Sequence, residues 1–190
     1  MNNSTNQYDQ IVELTKNTIS TWSNSRGIAI NEVADRMDQA QLQWLDELTV
    51  ALKIWIDKGD TMTDGELILA HVNLGAVVEA WLMFFYTVFY DDYCQAPIKK
   101  KDKKTGEEKS VEPSDASFEQ LKQFSNCKIS DGTNTSDYKW IDSIQKKRNA
   151  IHAFRHRDIG TLEQFFSDFS YLYVFLQHVV DHFPPLEDYI

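Results

Sequence analysis

The sequence predicts an all-α, single-domain bundle of about five or six helices across residues 1–190, with one charged, exposed insertion near 96–116. Three observations predict it. Apolar residues recur at helical spacing along most of the chain. Glycine and proline number only 7 and 4, too few for the frequent turns of a sheet-rich fold. A length of 190 residues suits one domain and buries a sizeable core.

Each element follows from the pattern. Tyr8, Ile11, Val12, Thr15, Ile19 and Trp22 form the stripe of a first helix. A longer helix starts near Asn31, with Val33, Met37, Trp44, Leu45, Leu48, Leu52, Trp55 and Ile56 as its apolar side, and Gly59-Asp60 ends it. Thr63 and Glu66 have the spacing of a capping box. They open a third helix that runs to about Tyr90 and is apolar nearly all round, so it should be the most buried element. Its run "LGAVVEAWLMFFYTVFY" is slightly short for a membrane span and holds Glu79. It therefore reads as the core helix of a soluble protein, with no membrane partner.

Residues 96–116 interrupt the pattern. They are polar, bracketed by Pro97 and Pro113, and "DKKTGEE" has turn chemistry, which leaves an exposed hairpin and a disordered loop both open. A short helix near 117–124 and a polar loop at 130–137 follow. The next helix begins near Asp137 and is ended by "DIGT". Thr161 and Gln164 form a second capping box and start the last helix. Its core stripe is Leu162, Phe165, Phe166, Phe169, Leu172, Tyr173, Leu176, Val180 and Phe183, and Pro184-Pro185 ends it. The opposite face carries Tyr171, Val174 and Phe175, more apolar surface than a solvated face needs, and predicts a homodimer contact there.

Charge narrows the function classes. The formal net charge of −10 repels nucleic acid and anionic membranes except where cations cluster. They cluster at Lys99, Lys100 and Lys101, with Lys103, Lys104 and Lys109 close behind; that run is either a solvated loop or an arm for an RNA backbone. Cys94 and Cys127 form no close-spaced metal or redox motif, so a reducing cytoplasm is the default. The polar start "MNNSTNQYDQ" lacks the apolar stretch of a signal peptide. Neither a phosphate-cradling glycine loop nor a nucleophile elbow is present, and no cofactor is expected.

The chemistry concentrates in "KKRNAIHAFRHRD", residues 146–158. On a helix covering 138–157, Trp140, Ile144, Ile151 and Phe154 share the core face. Arg148, His152 and Arg155 then line its flank, with Arg148 and His152 one turn apart. A half-buried cationic stripe needs an anion. If the anion is a phosphate, the parts suffice for metal-free RNA cleavage. His152 would act as acid–base on the 2′-OH, Arg148 would stabilise phosphoryl charge, Asn149 would orient, and Arg155, His156 and Lys99–Lys101 would bind RNA. If the anion is Glu79, "RNAIH" is a structural clasp. A third option is a metal: "HAFRH" and "HVVDH" each pair two histidines at i, i+4. However, His178 and His182 lie opposite the core stripe of their helix, so no metal site is expected.

An all-α bundle with Arg-Asn-x-x-His on a late helix resembles the HEPN superfamily (higher eukaryotes and prokaryotes nucleotide-binding). The matching residues are Arg148, Asn149 and His152. Three residues separate Arg148 from His152 and seven separate it from His156, and neither gap is the family's usual one. The resemblance implies a small helical domain, often dimeric, with the paired motif helices forming a cleft. It also implies a metal-independent endoribonuclease of a toxin–antitoxin or phage-defence system, with RNA as substrate and an antitoxin or effector protein as partner. A non-catalytic dimeric interaction module on the same bundle is the alternative.

Overall fold

The computed structural model of the chain describes residues 2–125, 135–152, 154 and 156–184. Among them are eight α-helices and one two-stranded hairpin: α1 (Asn2–Ser23), α2 (Asn31–Gln39), α3 (Leu42–Lys58), α4 (Asp64–Val88), α5 (Tyr90–Gln95), β1 (Lys99–Lys101), β2 (Glu108–Ser110), α6 (Phe118–Ser125), α7 (Ser136–Arg148) and α8 (Leu162–Asp181). The fold is therefore mostly α, as expected, with more helices than the five or six anticipated.

α4 is the axis. It packs against α3, α7, α8, α6 and α2, while α1 closes the bundle against α3 and α8. Thr63 caps its start: the hydroxyl accepts from the Glu66 amide and the Glu66 carboxylate accepts from the Thr63 amide. By length and composition α4 could cross a membrane, but here 13 of its 25 residues are buried inside the bundle. Leu74, Val77, Val78, Trp81 and Leu82 have no exposed surface. They meet Phe165, Phe169, Leu172 and Leu176 of α8 and Ile141 and Ile144 of α7 in one continuous core.

The extra helices arise where the chain changes direction without a glycine or proline to announce it. The helix expected from Asn31 to the fifties divides at Ala40, which is extended, and Gln41. An unbroken helix would run the Val33–Met37 line into Trp44 and Leu48, at 100° per residue. The break re-phases the chain. Leu45 and Leu52 turn inward, while Trp44 is 59% exposed and Leu48 36%. α5 separates from α4 at Phe89, which leaves the helical region (φ −96°, ψ 39°).

The insertion is an ordered hairpin: Lys99 pairs with Ser110 and Lys101 with Glu108, antiparallel. Asp102 accepts from the Lys104 and Thr105 amides and shapes the turn, and those bonds hold its carboxyl below the usual range. Both strands are exposed along their whole length.

α7 starts near its expected position, with the Thr135 hydroxyl accepting from the Tyr138 amide. It ends early, which corrects the helix expected over 138–157. The α-helix stops at Arg148, a single 3-10 turn covers Asn149–Ile151, and His152 leaves helical geometry (φ −81°, ψ 77°). The physical reason is local. Lys146, Lys147 and Arg148 occupy the last turn, where cations suit the dipole, and Asn149 stands at the C-cap. Trp140 and Ile144 are core residues as expected, but Ile151 (49% exposed) and Phe154 (fully exposed) are not.

α8 starts on its capping box, Thr161 with Gln164. The apolar outer face expected on it is smaller than the sequence suggests. Phe175 is fully buried, its ring 5.2 Å from that of Trp140. The Tyr171 hydroxyl donates to Asp137 at 2.8 Å, leaving Val174 as the exposed large apolar residue of α8.

Candidate functional site around Arg148

The end of α7 lies across α4, and each of its three cations meets a carboxylate of the fold. Lys146 reaches Asp142 at 2.6 Å, one turn back. Lys147 reaches Asp168 of α8 at 2.5 Å, with both side chains 11% exposed. The Arg148 Nη2 reaches the Glu79 Oε2 of α4 at 2.6 Å. For Arg148, the anion is therefore a carboxylate of the fold.

Arg148 is held by shape as well as charge. A Cβ at Gly75 would lie 2.7 Å from its Cδ, 2.9 Å from its Cβ and 3.0 Å from its Cγ. The arginine stem thus rests on bare α4 backbone, and its guanidinium carbon stands 5.5 Å from the Phe118 ring. Burial pushes the Glu79 carboxyl up; Arg148 and the Phe118 backbone amide oppose that shift. The guanidinium side remains open, with Arg148 30% exposed and Glu79 17%.

Beneath Lys147 lies a residue the motif does not announce. His71 of α4 has no exposed surface, and neither ring nitrogen has a hydrogen-bond partner among the described residues. Its ring meets Phe165 edge-on at 5.4 Å. Burial, reinforced by the Lys147 charge and opposed by Asp158, lowers its pKa to about 4, so it is neutral near pH 7. Gly160 closes over it with φ 73°, the left-handed region where glycine carries no steric penalty. A Cβ there would lie 2.9 Å from Gln164 Oε1, 3.2 Å from Lys147 Cε and 3.5 Å from His71 Nε2. Burial likewise raises the Asp168 carboxyl against the pull of Lys147.

The expected site residues divide accordingly. Arg148 is built into the bundle, and Asn149 sits half-buried at the helix end. His152 is exposed beyond the helix, its amide 3.4 Å from the Asn149 carbonyl, so the one-turn stacking of His152 on Arg148 along a single helix face is corrected. His156 is exposed in the following loop, and Arg155 lies outside the described residues. Lys99, Lys100 and Lys101 belong to the hairpin; no hydrogen bond or ion pair among the described residues joins them to the Arg148 region. His178 is not a free outward group. Its Nδ1 lies 3.0 Å from Asp137 Oδ2; burial, helped by the same carboxylate, pushes the Tyr171 hydroxyl up to about 12. Among the described residues no three His, Cys, Asp or Glu side chains gather as a metal site would require.

Sequence reasoning missed Gly75, His71, Gly160 and the Lys147–Asp168 pair. A lone histidine inside an apolar helix is a visible signal for His71. Nothing local marks Gly75, because its role depends on a residue 73 positions away. No protein-family model, curated protein or solved structure matches this chain.

Proposed function

We propose that the chain is a HEPN-like helical interaction module in which Arg148 is a structural clasp. One observation carries the reading: the Arg148–Glu79 contact at 2.6 Å, with the arginine stem seated on Gly75. An arginine so engaged neutralises a half-buried carboxylate before it meets any ligand. The exit of His152 from the helix also supports the reading, since acid–base chemistry on a phosphate needs the two groups held toward one point. The experiment combines cleavage and stability. Single-stranded RNA incubated with the protein in chelator should stay intact, and Arg148→Ala should lower unfolding stability by about 2 kcal/mol through the stranded Glu79. His152-dependent cleavage that leaves a cyclic phosphate would overturn the proposal.

A second reading is favoured by the solvent-facing group Ile151, His152, Phe154 and His156. Exposed apolar side chains beside exposed histidines suit a cleft that a second protomer would close. In this reading the chain is a cytoplasmic homodimeric endoribonuclease of a toxin–antitoxin or phage-defence system, acting on RNA without metal and restrained by an antitoxin or effector protein. His152 exchanges protons, Arg148 leaves Glu79 to stabilise the phosphoryl oxygens, and Asn149 orients them. His152→Ala should then cost about 10²–10⁴ in cleavage rate.

A further inference from the structure

The last turns of α4, the short helix α5, the end of α6 and the C-cap of α8 enclose a pocket of about 220 Å³. Five phenyl or phenol rings line it. Those of Phe85, Tyr86 and Tyr93 are buried, and those of Phe89 and Phe124 are partly exposed. No aliphatic side chain contributes. The rings stand at steep angles, 87° between Phe85 and Tyr86 and 73° between Tyr86 and Phe124, with centroids 5.4 and 4.9 Å apart. They wall a niche on several sides instead of stacking it shut. The remaining lining residues, Asp92 and His182, are both exposed, so the aromatic floor has a polar rim.

The groups at this pocket select the charge of an occupant. The face of an aromatic ring is negative and attracts cations. The polar lining groups have the same sign. Asp92 forms no ion pair among the described residues, and the Gln95 side-chain amide reaches it at a long 3.4 Å. His182 Nδ1 donates to the His178 carbonyl at 2.6 Å, which leaves Nε2 an acceptor in the neutral ring. Tyr86 and Tyr93 donate their hydroxyl protons to the Leu121 and Val111 carbonyls. No Lys or Arg side chain lines the pocket. Two helix ends add to the same sign. Phe85 and Tyr86 stand near the C-terminal end of α4 and His182 is the C-cap of α8, where each macrodipole is negative. An anion is therefore disfavoured, and a neutral apolar group gains nothing from Asp92. Size and solvation narrow the cation. The volume lies below the roughly 300–1,000 Å³ of drug-sized sites, so it suits a small headgroup. A bare ammonium would lose its water against rings that accept hydrogen bonds poorly, whereas a methylated one has less hydration to lose.

We propose that this aromatic pocket binds a methylated ammonium ion, with the rings around its methyl groups and Asp92 beside its charge. The assignment goes beyond the interaction-module reading and uses none of the residues around Arg148. The probe is choline. Its control is 3,3-dimethylbutan-1-ol, which has the same shape with a neutral carbon in place of the nitrogen. Both are titrated into the full chain by ligand-observed NMR at physiological salt and pH 8, where imidazoles are neutral. Choline should bind at least about tenfold tighter than the alcohol. Asp92→Asn keeps the shape of an exposed side chain and should weaken choline at least about fivefold while leaving the alcohol unchanged. Phe124→Leu removes a ring but not apolar bulk and should weaken choline in the same direction. Because Asp92 lies in water, its variant remains informative if the Phe124 variant misfolds. A peptide carrying trimethyllysine, compared with its unmodified form, identifies the source of the group. Tighter binding of the trimethylated peptide than of choline assigns it to a modified side chain, and the reverse assigns it to a free small molecule; both support the site. Equal binding of choline and the alcohol would make the pocket an apolar crevice and overturn the proposal. So would no binding of choline or of the trimethylated peptide. Choline binding undiminished in both variants would mean diffuse attraction to the acidic surface, and the assignment would fall.

Discussion

Arg148 and His71 occupy adjacent layers of the same corner and spend their chemistry in opposite ways. Arg148 keeps its charge by meeting Glu79; His71 gives its charge up because no described group solvates it. The histidine makes stability depend on pH with a definite sign. Its folded pKa, about 4, lies below the unfolded value of 6.5. The unfolded chain therefore takes up the proton first as pH falls, and stability declines between about 6.5 and 4. The full loss is about 3 kcal/mol. Lys147 and Asp158 are the charges that act on the ring, and the raised carboxyls of Glu79 and Asp168 act with the opposite sign, since their protonated forms suit the folded state. Comparison with His71→Leu removes that background. Urea midpoints at pH 7.5 and pH 5 should differ clearly more for wild type than for the variant, and an equal difference would refute the assignment. Gly75→Ala forces Arg148 off its seat and should cost about 1–3 kcal/mol by the same measurement, despite alanine's better helix propensity.

At the scale of elements, caps and breaks decide the architecture. Thr161 satisfies the first amides of α8 and stands next to Gly160, which roofs His71. Thr161→Ala should cost about 1 kcal/mol, and hydrogen exchange should show faster exchange at the first α8 amides while the middle of the helix stays protected. Both capping boxes, the central place of α4, the start of α7 and most of the α8 stripe were legible in the sequence, because each is written in residues a few positions apart. The division between α2 and α3 was not. Val33, Met37, Trp44 and Leu48 make a helical line by themselves, but only its first half, Val33 and Met37, meets the core; past the break the core is met by the competing line through Leu45 and Leu52. The early end of α7 was hidden for a related reason. Ile151 and Phe154 fit the apolar period, so the sequence reads them as core, while the chain turns away at Asn149 and leaves them in water. Phe175 fails in the other direction, since its burial depends on where Trp140 of another helix stands. The Arg148–Glu79 contact was foreseeable as an alternative because a buried glutamate needs a cation; which reading of "RNAIH" it favours required the partner's position.

The whole molecule carries a net charge of −10, and its cations are unevenly used. Lys146, Lys147 and Arg148 neutralise acids of the fold, whereas Lys99, Lys100 and Lys101 stand on exposed strands. Self-repulsion of the acidic body should ease with salt. The thermal midpoint is expected to rise when sodium chloride goes from low to physiological strength, by about 2–4 °C for each kcal/mol gained. Differential scanning fluorimetry reads that shift, and a falling midpoint would mean that exposed ion pairs outweigh net repulsion.

The seat of Arg148 on Gly75 joins two distant codons into one heritable unit. A side chain gained at 75 evicts the arginine, and an arginine lost from 148 leaves Glu79 stranded beneath an empty shelf. Neither position can drift alone without a weakened intermediate. Sister sequences of this chain should therefore either keep glycine and arginine together or have exchanged both, along with the glutamate, for an apolar set of similar volume.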